Sequence, residues 1–407
     1  MLKFDLSSRI RISLVNLTIV AIYGVMMRYK IGFEFPYLEQ ANLQHAHSHF
    51  AFYGWVTHTL MTLMIAYLEK NNWTNQSKYY AQLLLANLVC SYGMLASFTF
   101  WGYNIVSISF STLTILVSFL FTIAFINDVK RYLKESTVAK WLIAALVFNL
   151  IAALGTFALA YMMATKNLPQ HLYLASVYFY LHFHYNGWFF FATLGLGHLY
   201  FQDAIPSYKD DKKVFWMFVL SCLPAYFLSA LWINLPIWLY IIVVIASIVQ
   251  FMAWVLTLYN FSKNYSLLKN RSTSIIHYLF ILLSLALTLK FMLQLGSVIP
   301  FISKLAFGFR PIVIAYLHLV LLAIISLFIL TYLMSNKLIP YTKLSIFGIL
   351  LLALGIYLTE IMLAIHGIAS FQYVVIPFTK GILFSLSICM LTGICLLVLN
   401  QFRNKKI

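Results

Sequence analysis

Residues 45–68, HAHSHFAFYGWVTHTLMTLMIAYL, run for 24 residues without a single Asp, Glu, Lys or Arg. At about 1.5 Å of rise per residue, such a stretch crosses a hydrocarbon core of about 30 Å as one α-helix. It also carries four histidines, His45, His47, His49 and His58. Polar side chains in a span are costly, and by default they mark a functional site facing the bundle interior or a cavity.

The rest of the chain repeats the apolar theme. Of 407 residues, 63% are hydrophobic and 9% charged, whereas a soluble domain carries about a quarter charged residues. Apolar stretches recur at about 11–28, 45–68, 81–103, 105–127, 139–163, 172–200, 214–232, 236–260, 275–296, 311–334, 343–366 and 379–400. They predict an all-α polytopic bundle of about twelve helices over the whole chain, resembling no soluble enzyme and leaving no room for a sizeable soluble domain. The prolines fall between spans or at their edges, except Pro224. The first apolar run is long and lacks a small-residue cleavage site, so it reads as a retained span. Cys90, Cys222, Cys389 and Cys395 lie in apolar runs without a C-x-x-C pair, which argues for packing thiols rather than disulfides.

The net charge of +17 would suggest nucleic acid in a soluble protein. Here the basic residues sit in short loops. Lys3, Arg9, Arg11 and the clusters around Lys130, Lys212, Lys263 and Arg403 share one side, which is then cytoplasmic, with both termini inside a bacterial inner membrane.

Eight of the eleven histidines fall on three spans: the four above on the second, His182, His184 and His198 on the sixth, and His318 on the tenth. His47-Ser48-His49 precedes Gly54-Trp55, and His182-Phe183-His184 precedes Gly187-Trp188. On an α-helix the two histidines of an H-x-H pair point about 200° apart, so one helix can serve two sites. His45 and His49 share a face, and His58 lies beneath His47. Taken singly, His58, His198 or His277 reads as an interhelical hydrogen bonder. Clustered imidazoles suit haem iron or copper, and zinc less, because the spans hold one carboxylate, Glu360.

These features resemble subunit I of the haem-copper oxidase superfamily: twelve spans, candidate ligands on the second, sixth and tenth, and H-x-H followed by Gly-Trp. HSHFAFYGW (47–55) is similar to the H-x-H helix of cbb3-type oxidases, and HFHY (182–185) to that of aa3-type enzymes. The resemblance implies low-spin and high-spin haems and a copper held by helix six and a following His-His pair. The chain departs from that plan, with one histidine on span ten and none on span seven. NnrS-type membrane proteins, haem scaffolds without oxidase activity, are the nearer likeness. It implies b-type haem with His45, His47, His49, His182, His184 and His318 as candidate ligands, copper left open, and electron transfer or small-gas (O2/NO) chemistry with a redox partner or further membrane subunits.

Arg28 and Arg310, at the outer ends of spans one and ten, are candidates for haem propionates, or else for lipid phosphates. Lys290 and Glu360, each about six residues from an outer helix end, are expected to pair. The histidines of spans two, six and ten are expected to converge on one cofactor region. The rival reading is a secondary transporter or metal-ion carrier lined by histidines, and a third is a scaffold subunit. Because the paired copper histidines are missing from the sequence, membranes containing this chain alone should not reduce oxygen at oxidase-like rates. An oxygen electrode checks this, and azide-sensitive consumption with about one copper per chain would restore a full oxidase.

Overall fold

The computed structural model describes residues 5–133, 135–204, 212–264, 273–303 and 310–403. Of the basic residues used above for orientation, Lys3 lies outside these ranges. Among the described residues every regular element is a helix. Among the described residues nine helices are long and apolar enough to cross a membrane, or ten if the bent pair Lys212–Cys222 and Pro224–Ala230 counts as one span. The chain is thus a multi-pass membrane protein.

It divides into two compact units. The first, 1–132, 333–366 and 375–407, contains α1 (Leu6–Gly32), α2 (Gln40–His49), α3 (His58–Lys70), α4 (Ser77–Trp101) and α5 (Ile105–Val129). The second, 133–332 and 367–374, contains α6 (Thr137–Ala164), α7 (Gln170–His182), α8 (Phe190–Ala204), α9 (Lys212–Cys222), α10 (Ile237–Lys263), α11 (Ser274–Gly296), α12 (Arg310–His318) and most of α13 (Leu327–Ser335). Most of α14 (Lys343–Phe371) and all of α15 (Thr379–Arg403) return to the first unit.

Local chemistry sets the helix ends. Asp5 accepts from the backbone N–H groups of Ser7 and Ser8 at the start of α1. Hydrogen bonding from Ser8 holds its carboxyl below the ordinary carboxylate range. Asn104 and Ser107 form a reciprocal capping box at the start of α5, each bond 2.9 Å. Helix α5 carries large apolar residues on both its outer and its inner face: Leu113, Leu116, Leu120 and Ile123 are exposed, whereas Val117, Phe121 and Phe125 are buried. An outward apolar stripe at helical spacing is the mark of a lipid-facing surface. Inside the first unit α14 crosses α15 at Gly348 and Gly393. A Cβ on Gly393 would stand 2.7 Å from the Gly348 carbonyl oxygen, so backbone meets backbone there, as small residues allow in membranes.

Three of the helical runs change pitch midway. Phe50–Thr57 (π1) joins α2 to α3, Phe183–Phe189 (π2) joins α7 to α8, and Leu319–Ser326 (π3) joins α12 to α13, all as π-helix. These are the three runs that carry the clustered histidines. A π-helix widens the backbone and weakens its carbonyl ladder, and such segments are frequent at functional sites.

In the first unit neighbouring side chains answer the π1 carbonyls. Asn16 of α1 donates to Gly54 O at 2.6 Å and Asn87 of α4 to Tyr53 O at 3.0 Å. Within the same run Thr59 donates to Trp55 O at 2.6 Å. Tyr92 in turn donates to Asn16 Oδ1 at 2.7 Å. Asn16→Ala removes two of these bonds and strands buried polar groups, a loss of about 1–3 kcal/mol. The expected outcome is a clear fall in the thermal midpoint of the protein in detergent. An unchanged midpoint would show that π1 stands without this side chain.

Candidate functional site

In the first unit, the two histidines of the H-x-H pair face opposite helices. His47 turns to α1, where its Nδ1 is 3.0 Å from Val20 O. A carbonyl only accepts, so Nδ1 carries the proton and Nε2 keeps its lone pair. This is the arrangement of a ligating imidazole whose second nitrogen is fixed by the protein. The bare Cα of Gly24 lies beside the ring: a Cβ there would come within 3.5 Å of His47 Cε1. One turn further along α1 stands Arg28, whose charge acts on His47 and on Glu360 of α14.

His49 turns instead to α4, stacking on Phe98 at 4.5 Å and 19°. His45 shares that face, 4.6 Å from the Tyr103 ring. The Nδ1 of His49 is buried without a hydrogen-bond partner.

His58, read from sequence as an interhelical hydrogen bonder, is something else. It is 0% exposed and neither ring nitrogen has a hydrogen-bond partner. The charge that acts on it is the buried Arg9 of α1. Its position is therefore that of a candidate site residue which sequence reasoning set aside. The signal available was its H-to-H spacing of eleven residues from His47, three turns of helix.

In the second unit His182 and His184 take different work. His182 Nε2 donates to Cys222 O at 2.9 Å, and its Nδ1 accepts from Asn186 Nδ2 at 3.2 Å. Pro224 breaks the helix just beyond Cys222, with a bend of 44°, and frees carbonyls that hydrocarbon cannot solvate. His182 supplies the missing donor. Both of its nitrogens are engaged, so any ligand role requires one of these bonds to open. His184 is fully buried between Tyr180 and Phe189, whose ring centroids lie 5.0 and 4.8 Å from its own. His318 is the last residue of α12, directly before π3. Arg310 opens that helix, and its side chain lies outside the described residues.

Lys290 and Glu360, expected to pair, belong to different units, and the structure describes each within its own. Lys290, 2% exposed on α11, donates to Gln294 Oε1 at 3.0 Å. Its Nζ also sits 4.1 Å from the Phe291 ring centroid and 5.0 Å from that of Phe190. The ring faces supply the negative potential that a carboxylate would have given. Glu360 belongs to the other unit, where Arg28 is the charge that acts on it, and its Oε1 has no hydrogen-bond partner. Each residue is thus accommodated inside its own unit.

Among the described residues no group of three or more His, Cys, Asp or Glu is placed to hold a metal ion by itself. No family model matches the chain, and no curated protein matches its sequence.

With separate partners, the losses from Lys290→Ala and Glu360→Ala should add within about 0.5 kcal/mol in the double variant. Unfolding of the three variants in detergent measures this. A double variant no less stable than either single one would establish a direct pair.

Proposed function

We propose that the chain is a haem-binding protein of a bacterial inner membrane, built on twelve spans in the manner of oxidase subunit I, with both termini cytoplasmic. Its task is electron transfer or small-gas chemistry. The observation that carries the reading is His47: an imidazole with its Nδ1 proton fixed on Val20 O and its Nε2 open, beside a glycine and within reach of Arg28. Support for twelve comes from the nine apolar helices and the bent pair, with the histidine-bearing runs 40–70 and 170–204 taken in this reading as two further crossings.

In this reading His47 holds the iron and Arg28 meets a propionate, while His49, His184 and His318 are further candidate ligands, to be tested one at a time. A bound b-type haem supplies reversible one-electron chemistry at iron and a place for a diatomic gas. The chain's own contribution is to hold the proton of His47 at Nδ1 and to keep water away with buried aromatic side chains such as Phe50, Phe52 and Trp55. Arg28, with Glu360 as the acid that acts on it, places a positive charge where an anionic group would otherwise be unmatched. Copper has less support, because the described residues offer no imidazole cluster for it.

The bend at Pro224 is the feature a histidine-lined carrier would share. The two readings separate in one experiment on the purified full-length protein. Soret and α bands with iron near one or two per chain are expected, and His47→Ala should lose at least half of the haem while His277→Ala keeps it. A featureless spectrum with bound zinc or nickel would establish the carrier, and full haem in every single His→Ala variant would end the ligand assignment.

A further inference from the structure

The second unit contains a cavity of about 400 Å³ walled by α8, α10, α11, π3 and α13. That is the size range of sites for small organic ligands. Its two ends differ. One is formed by His198 and Phe201 near the end of α8, Phe261 and Ser262 at the end of α10, and His277 and Phe280 at the start of α11. The other is formed by Phe190, Thr193, Trp254, Leu287 and Thr288. His277 and Thr288 are eleven residues apart on α11, about 16 Å along the axis, so the cavity runs from near the helix ends toward the middle of the bundle.

The chemistry of the walls narrows the occupant. None of the lining residues carries a formal charge, so the ligand is neutral. Polar groups at the deep end are already engaged: Trp254 Nε1 donates to Thr288 Oγ1 at 2.9 Å, Thr288 to Ser284 O at 2.8 Å, and Thr193 to Phe190 O at 2.8 Å. That end therefore presents ring faces and methyl groups. The other end offers two imidazoles, which can donate to or accept from an oxygen. Stacked aromatic walls, with Phe201 and Phe261 at 4.3 Å and 29°, favour a flat ring over a plain hydrocarbon chain. Ile281 and Leu285 line the cavity and are 42% and 58% exposed, which gives it a lateral opening toward lipid.

We propose that this cavity binds a neutral, lipid-soluble ring compound with a carbonyl or hydroxyl head, of the quinone type, taken up from the bilayer. The oxygen-bearing head lies at His198 and His277, and the apolar remainder lies against Trp254. The assignment is independent of whether the chain holds haem.

The test uses the full-length protein in quinone-free phospholipid nanodiscs, with a decyl azido-benzoquinone as photoprobe and peptide mapping by mass spectrometry. Label is expected within 254–262 and 277–288, removed by excess decyl-benzoquinone and not by oleic acid. Gly197 lines the cavity, and a Cβ there meets only Phe328 ring atoms at 3.6 and 3.8 Å. A larger side chain therefore grows into the space, and Gly197→Leu should reduce labelling at least tenfold. His277→Ala should reduce it several-fold. Ser284→Leu, on the same wall, replaces Gly197→Leu if that variant fails to fold. Label absent from both segments, label unchanged in both cavity-filling variants, or displacement by oleic acid as readily as by the quinone would each overturn the proposal, the last by assigning the cavity to an acyl chain.

Discussion

Hydrocarbon offers no partner to a backbone N–H or C=O, and this constraint governs the rest of the structure. Ordinary α-helix meets it within each span, but three runs of this chain adopt π geometry and one is broken by Pro224. Side chains from adjoining helices make good the difference. Asn16 and Asn87 bond the carbonyls of Gly54 and Tyr53, and His182 bonds that of Cys222 across the break. Buried amides and one imidazole thus hold the unusual backbone in place, and the imidazole that does so is removed from the pool of free ligands.

The same solvent decides how charge is carried inside. Lys290 is held by an amide oxygen and two ring faces rather than by a carboxylate. Arg9 and Glu360 sit in a different regime, close enough to His58 and Arg28 respectively for the charges to act. Such groups set the potential felt by neighbouring imidazoles. In the first unit that places positive charge toward two imidazoles of one helical run, Arg28 toward His47 and Arg9 toward His58.

The aromatic content serves two distinct ends. Trp141, Trp188 and Phe189 are fully buried packing groups, which is the ordinary role of such side chains in a bundle. Around α8, α10 and α11 the rings instead line open space, with histidines at one end only. A wall that is polar at one end and apolar at the other selects an amphiphile by orientation as well as by size.

Composition and hydrophobic run length by themselves determined that the chain is all-helical and membrane-embedded, because the length of an apolar run is tied directly to bilayer thickness. The spacing of His45, His47 and His49 also determined their division between two faces, since helical pitch is a local property: His47 meets α1, while His45 and His49 meet rings next to α4. Tertiary structure alone decided the rest. The π segments have no common sequence sign, for Phe50–Thr57 and Phe183–Phe189 contain Gly-Trp whereas Leu319–Ser326 contains neither residue. Whether an imidazole is free depends on what a distant helix brings to it. His182 meets the carbonyl of Cys222, forty residues on, while His58 meets no hydrogen-bonding partner at all. Depth matching of Lys290 and Glu360 could be counted along two helices, but a count along an axis does not say which neighbours lie across it: within its unit Lys290 meets Gln294 and two ring faces, and within the other Arg28 is the charge that acts on Glu360.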